Sequence, residues 1–127
     1  MIEAMNSPIL TVYGIPNCDT VKKARSWLTD HGLVHQFHDF KKQGVPADQL
    51  PVWMAAAGWE LLLNRKGTSW RKLDQATQLA VVDAASAAVL MQAQPSVIKR
   101  PVVVWPDQRI TVGFDAEKFA AHAARPR

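Results

Sequence analysis

Ile9-Leu10-Thr11-Val12-Tyr13-Gly14-Ile15-Pro16-Asn17-Cys18-Asp19-Thr20-Val21 decides the fold of this chain. Its first five residues form a short apolar run, which reads as a strand. Gly14, Pro16 and Asn17 are turn formers, and Val21, Ala24 and Leu28 then recur at helical spacing. The reading is strand, tight loop and helix N-terminus, with the helix over 18–30 and Gly32 ending it. Cys18, the only cysteine in the sequence, falls where that helix starts. A helix start presents unpaired N–H groups and roughly half a positive charge. It therefore favours thiolate over thiol, and cysteines so placed titrate at about 3.5–7.5 against about 8.5 for a free thiol. Lys22 and Lys23, one turn on, add positive charge. The competing reading is a buried, inert cysteine.

Outward from there, 34–40 alternates apolar and polar residues and reads as a second strand. A strand–helix–strand unit makes the two strands parallel with a right-handed crossover. His35 and His38 fall on opposite faces of that strand, so they do not converge on a metal. Leu50, Trp53, Met54 and Ala57 mark a helix within 47–57, which Pro51 forces to start late. Residues 59–63 read as a further helical turn, and 64–69 as a polar loop hinged at Gly67. Asp74 is placed to cap a long helix over 75–93 with a stripe of Leu79, Val82, Val89 and Leu90. Val102–Trp105 reads as a buried strand, paired in a hairpin with 109–112. Asp115 caps a final helix, with Phe114 and Phe119 at the staple positions. His122 and the tail 125–127 are expected to fray.

The chain has 127 residues, enough for one domain with its own core. Fifteen Lys and Arg against eleven Asp and Glu leave a net charge of +4. The basic residues fall in separate pairs with no interleaved aromatic residues, so no direct nucleic-acid partner is expected. A single cysteine excludes an intrachain disulfide and a CxxC metal site, and no metal is expected. No apolar window approaches eighteen residues, and Met1–Pro8 holds no export-type apolar core. The expectation is no membrane association and a cytoplasmic, reducing compartment.

The residues go further. Tyr13–Ala24 with Arg25, Trp27 and Leu28 closely resembles the active-site segment of the arsenate reductase (ArsC)/Spx family, and its Asn-Cys-Asp-Thr variant resembles the YffB-like branch. Gly58-Trp59-Glu60, Leu62-Leu63-Asn64, Gly67–Leu73, Ile98–Val102 and Gly113-Phe114 resemble the same branch in the same order. The resemblance implies a thioredoxin-like α/β fold with a mixed four-stranded sheet. The resemblance spans about 9–120, the core of a single domain expected over 1–127, with a helical insertion at about 45–93. It carries the family nucleophile to Cys18, the pre-proline arginine to Arg100, and a cis proline facing the cysteine to Pro101. Asn17 becomes a substrate-binding candidate, and Lys22 is either another or an ordinary solvated surface lysine. A second oxyanion-binding arginine maps near Asn64-Arg65, with Arg65 either a substrate clamp or an ordinary loop charge. The third has no counterpart, because Val112-Gly113-Phe114 stands there.

Position 21 is valine, so a resolving thiol three residues after Cys18 is missing. The implied enzyme is therefore a monothiol oxidoreductase that binds no cofactor. Glutathione or another small thiol resolves the intermediate formed with an oxidised thiol or oxyanion substrate. Two alternatives stay open: arsenate reductase proper, or an Spx-like regulator whose partner is RNA polymerase.

Overall fold

The computed structural model describes residues 9–124, so Met1–Pro8 and the 125–127 tail lie outside the described residues. The described residues form two compact units, one of 9–38 with 100–124 and one of 39–99.

In the first unit, β1 (Thr11–Gly14) leads through the loop 15–18 into α1 (Asp19–Asp30) and then β2 (Gln36–Asp39). The chain returns as β3 (Val102–Val104), β4 (Ile110–Val112) and a terminal helix (Ala116–Ala123). The sheet order is β2-β1-β3-β4. β3 runs antiparallel to both β1 and β4, with Val102 opposite Tyr13 on one side and Val112 on the other. The helical crossover makes β1 and β2 parallel, so the sheet is mixed. The expected thioredoxin-like α/β class is what this unit has.

Its core is Leu10, Val12, Ala24, Leu28, Val103, Trp105 and Phe119. Phe119 meets Trp105, Trp27 and Phe114 edge-on, at 5.1, 5.6 and 4.9 Å between ring centroids. The Phe114–Phe119 pair is the expected staple, and Asp115 caps the helix by accepting from the Glu117 and Lys118 N–H groups. His122 does not fray as expected. It belongs to the terminal helix and stacks on the Trp105 ring at 5.3 Å, because the aromatic core reaches that turn.

Gly14 also departs from its expected role as a turn former. It is the last residue of β1, and a Cβ on it would lie 2.8 Å from Val21 Cγ2. Its missing side chain lets the strand end lie against the first turn of α1.

The second unit begins with a short helix, Phe40–Gln43, and not with the continuation of β2 expected to residue 40. Asp39 ends the strand because its carboxylate accepts from the Lys41 N–H at 2.9 Å and caps that helix. Helices follow at Leu50–Ala57, Trp59–Leu62 and Thr68–Arg71. Pro51 sits in the first turn of its helix, as expected. The last of the three replaces the end of the expected 64–69 loop.

The single helix expected over 75–93 is two, Gln75–Leu79 and Ala84–Ala93. The break lies at Val82-Asp83, whose N–H groups both donate to Ser86 Oγ, at 2.9 and 3.1 Å, and so leave the helix ladder. The Ser86 N–H donates in turn to the Asp83 carboxylate, closing a capping box. Of the expected stripe only Leu90 is buried. Leu79, Val82 and Val89 are 68%, 74% and 71% exposed, and the buried face is Ala87, Leu90 and Met91.

Asp74 and Asp83 are both held below the ordinary carboxylate range. For Asp74 the cause is hydrogen bonding by Thr77, from its side chain first and its N–H second. For Asp83 it is the Ser86 N–H first and the Ser86 hydroxyl second. A lowered folded-state value means the caps stabilise fully above the unfolded aspartate value of about 3.9, and that this is lost as pH falls through the depressed values. Thermal melts of the whole chain should therefore drop as pH falls below about 4. The drop should shrink in Asp83→Asn, which keeps an oxygen acceptor without the ionisation. An undiminished drop would assign the acid loss to other carboxylates.

Candidate functional site

The first unit brings most of the site candidates to one edge of its sheet. β1 ends at Gly14, β3 begins at Val102 opposite Tyr13, and β4 ends at Val112 opposite Val102. The loop that carries Cys18, the Arg100–Pro101 step and Gly113 therefore all leave the sheet on the same side. The Arg100–Pro101 peptide bond is cis, as the resemblance implies. Pro101 is buried and Arg100 half-buried. The Gly113 N–H donates to the Pro101 carbonyl oxygen at 2.9 Å, which ties the end of β4 to the proline. Gly113 has a φ of +85°, a conformation that glycine adopts without strain. The place where the family's third arginine is implied is thus held by a backbone hydrogen bond.

Cys18 is the N-cap residue of α1, extended at φ −139° and ψ 122°, and partly exposed. Its side chain makes no capping hydrogen bond, although its carbonyl accepts from the Lys22 N–H at 2.9 Å. Serine, threonine, aspartate or asparagine would satisfy a first-turn N–H there. The sulfur instead sits at the positive end of a twelve-residue helix, whose first N–H groups have no acceptor within the helix. Asp19, in the first turn, adds a negative charge that suits the helix dipole. Asn17 and Lys22 are exposed.

Arg65 lies in the second unit. It is exposed, and its guanidinium carbon stands 5.1 Å from the Trp59 ring centroid and 5.9 Å from that of Trp70. Such contacts contribute roughly 0.5–1 kcal/mol at exposed sites. In the same unit Asn64 N–H donates to Val97 O and Lys99 N–H to Leu62 O, each at 2.8 Å.

From sequence, Arg25 is only part of the resembling segment and receives no site role. Its Nε donates to His35 Nε2 at 3.3 Å, and its guanidinium carbon lies 4.3 Å from the Phe37 ring centroid. His38, by contrast, packs on Tyr13 with ring centroids 4.9 Å apart, so the two histidines serve different partners. Among the described residues no three His, Cys, Asp or Glu side chains converge to hold a metal ion. Among the same residues no helix is long and apolar enough to cross a membrane.

Comparison with known proteins adds to this geometry. The ArsC family model matches residues 13–122. A Haemophilus influenzae "Uncharacterized protein" is 37% identical over 113 residues, covering 89% of this chain and 97% of that protein. The "Global transcriptional regulator Spx" of Streptococcus mutans is 26% identical over 120 residues, covering 92% of this chain and 85% of that regulator. Among solved structures, the "YFFB (PA3664) protein" is 47% identical with a TM-score of 0.84, covering 91% of this chain and 99% of the other.

Proposed function

Because the chain belongs to the ArsC family, we propose that it is a glutathione-dependent thiol reductase working through Cys18 alone. The observation that carries the reading is the lone cysteine, partly exposed and uncapped at the N-terminus of α1, on the sheet edge that also bears Arg100 and Pro101.

In the proposed reaction, the Cys18 thiolate attacks one sulfur of a disulfide. One S–S bond forms to Cys18 while the substrate's S–S bond breaks, and the departing sulfur leaves with its electron pair as a thiolate. A glutathione thiolate then attacks the mixed disulfide and frees Cys18. The external thiol is required because Val21, fully buried, stands where a resolving cysteine would be. The N–H groups at the start of α1 stabilise the sulfur's charge in the free and departing states. Arg100 supplies planar donors to a carboxylate of the substrate or of glutathione. Asn17 and Lys22 flank the entering group, and a reducing cytoplasm supplies the thiol.

Two further readings compete. Similarity to Spx over 92% of the chain favours a transcriptional regulator, with RNA polymerase the partner that the family resemblance implies. Such a regulator would here lack the two-cysteine switch. Arsenate reduction would use the same nucleophile with fewer cationic donors, since Gly113 occupies the place implied for one of them. Both facts favour sulfur as the substrate atom.

The experiment is steady-state reduction of a glutathione mixed disulfide by excess glutathione, for the wild type and Arg100→Ala. Charge-assisted hydrogen bonds contribute about 1.5–3 kcal/mol, so Arg100→Ala should lower kcat/KM about tenfold to a hundredfold. No wild-type turnover would sink the reductase. Equal rates would remove Arg100 from its role.

A further inference from the structure

One groove runs on from the site and shares only Lys22 with the chemistry above. Lys22, Arg25, Ser26 and Thr29 line it from one face of α1, His35 lines it from the segment before β2, and Asp30 joins them from the last turn of the helix. The groove starts one turn after Cys18, since the Lys22 N–H donates to the Cys18 carbonyl oxygen.

Arg25 is pre-set within it. Its Nε is bonded to His35 Nε2, and Phe37 supports its guanidinium face. His35 Nδ1 lies 3.3 Å from the Leu33 carbonyl oxygen. With Nε2 accepting from Arg25, Nδ1 donates there, and the ring is held from both sides. The terminal N–H groups of Arg25 are left to the groove. Among the described residues no carboxylate comes within ion-pair distance of Lys22 or Arg25, and Asp30 pairs with neither. A fixed guanidinium loses less freedom on binding a carboxylate than a mobile one.

The spacing defines the occupant. At about 1.5 Å of rise per residue, Lys22 stands about 6 Å and Arg25 about 10 Å along the helix from Cys18. An extended peptide advances about 3.3 Å per residue, so those distances correspond to two and three residues. From this we infer that the groove holds the peptide flanking the oxidised cysteine of a protein substrate, with Asp or Glu two or three residues from the sulfur. Asp30, five residues beyond Arg25, fixes the polarity: the peptide must be neutral or basic at that end. The inference rests on Cys18 being the nucleophile. The bond-making is one exchange: Cys18 sulfur bonds to the peptide sulfur, and the small thiol on the peptide leaves as its thiolate.

The test uses two short synthetic peptides, each with its cysteine disulfide-linked to mercaptoethanol. They are identical except for Asp or Asn three residues from the cysteine. The wild type should react about fivefold to tenfold faster with the Asp peptide at low salt, and the ratio should fall towards one as salt is raised. Arg25→Gln should bring the ratio close to one. Ser26→Glu, at an exposed position, should invert it without disturbing the fold. A wild-type ratio of one, or a ratio that survives both substitutions, overturns the inference. Two unreactive peptides overturn the nucleophile assignment itself, and the acidic-peptide groove falls with it.

Discussion

Cys18→Ser is expected to abolish glutathione-dependent turnover and at the same time to make the protein more stable. Cys18 holds the N-cap of α1 and makes no side-chain capping bond. Serine is among the preferred residues there, and its hydroxyl can accept from a first-turn N–H. The substitution is nearly isosteric, and the site is partly exposed, so no cavity opens. The gain should be about 0.5–1 kcal/mol, read from the denaturation midpoint. Serine's hydroxyl does not ionise to a nucleophile there, so exchange should fall to the uncatalysed rate. The two effects together separate function from structure. An inert structural cysteine would give the stability change with no loss of activity. A Cys18→Ser protein that kept full activity would end the proposal.

Gly14→Ala should damage the site through the scaffold. The added Cβ would come within 2.8 Å of Val21 Cγ2, and Val21 is fully buried. Overpacking of this kind costs about 1–3 kcal/mol. Val21 sits in the first turn of α1, three residues after Cys18. Relief of the clash therefore pushes the turn that carries the sulfur, and activity should fall with stability. Val21→Ala removes the clashing methyl groups, so the double variant should recover part of both losses. A coupling of about 0.5–3 kcal/mol is expected from the double-mutant cycle. Additive losses would show that Gly14 and Val21 do not constrain each other.

The expected elements came through where local chemistry decides structure. Pro16 and Asn17 before Cys18, Pro51 in a first turn, and the Asp115 cap with its phenylalanine staple each act within a few residues. The reading failed where a local signal was weak or its partner distant. The break at Val82-Asp83 depends on Ser86 completing a capping box, and serine is a poorer signal there than Glu or Gln. His122 looked like a frayed end because nothing nearby in sequence foretells its stack on Trp105. Gly14 read as a turn former because the approach of Val21 is a tertiary fact.

The site divided in the same way. Cys18 was legible from the strand–loop–helix pattern, and the Arg100–Pro101 step from the resemblance alone. Arg25 stayed hidden because its partners, His35 and Phe37, lie ten and twelve residues on, across the turn into β2. The packing of Arg65 on Trp59 and Trp70 likewise depends on rings that sequence spacing does not bring together.

The most direct measurement is the intact mass of the protein after brief exposure to oxidised glutathione, followed by addition of reduced glutathione. The account predicts one glutathionyl adduct per chain, located at Cys18 and removed by the reduced thiol. A chain that stays unmodified, or an adduct that reduced glutathione cannot remove, would contradict it.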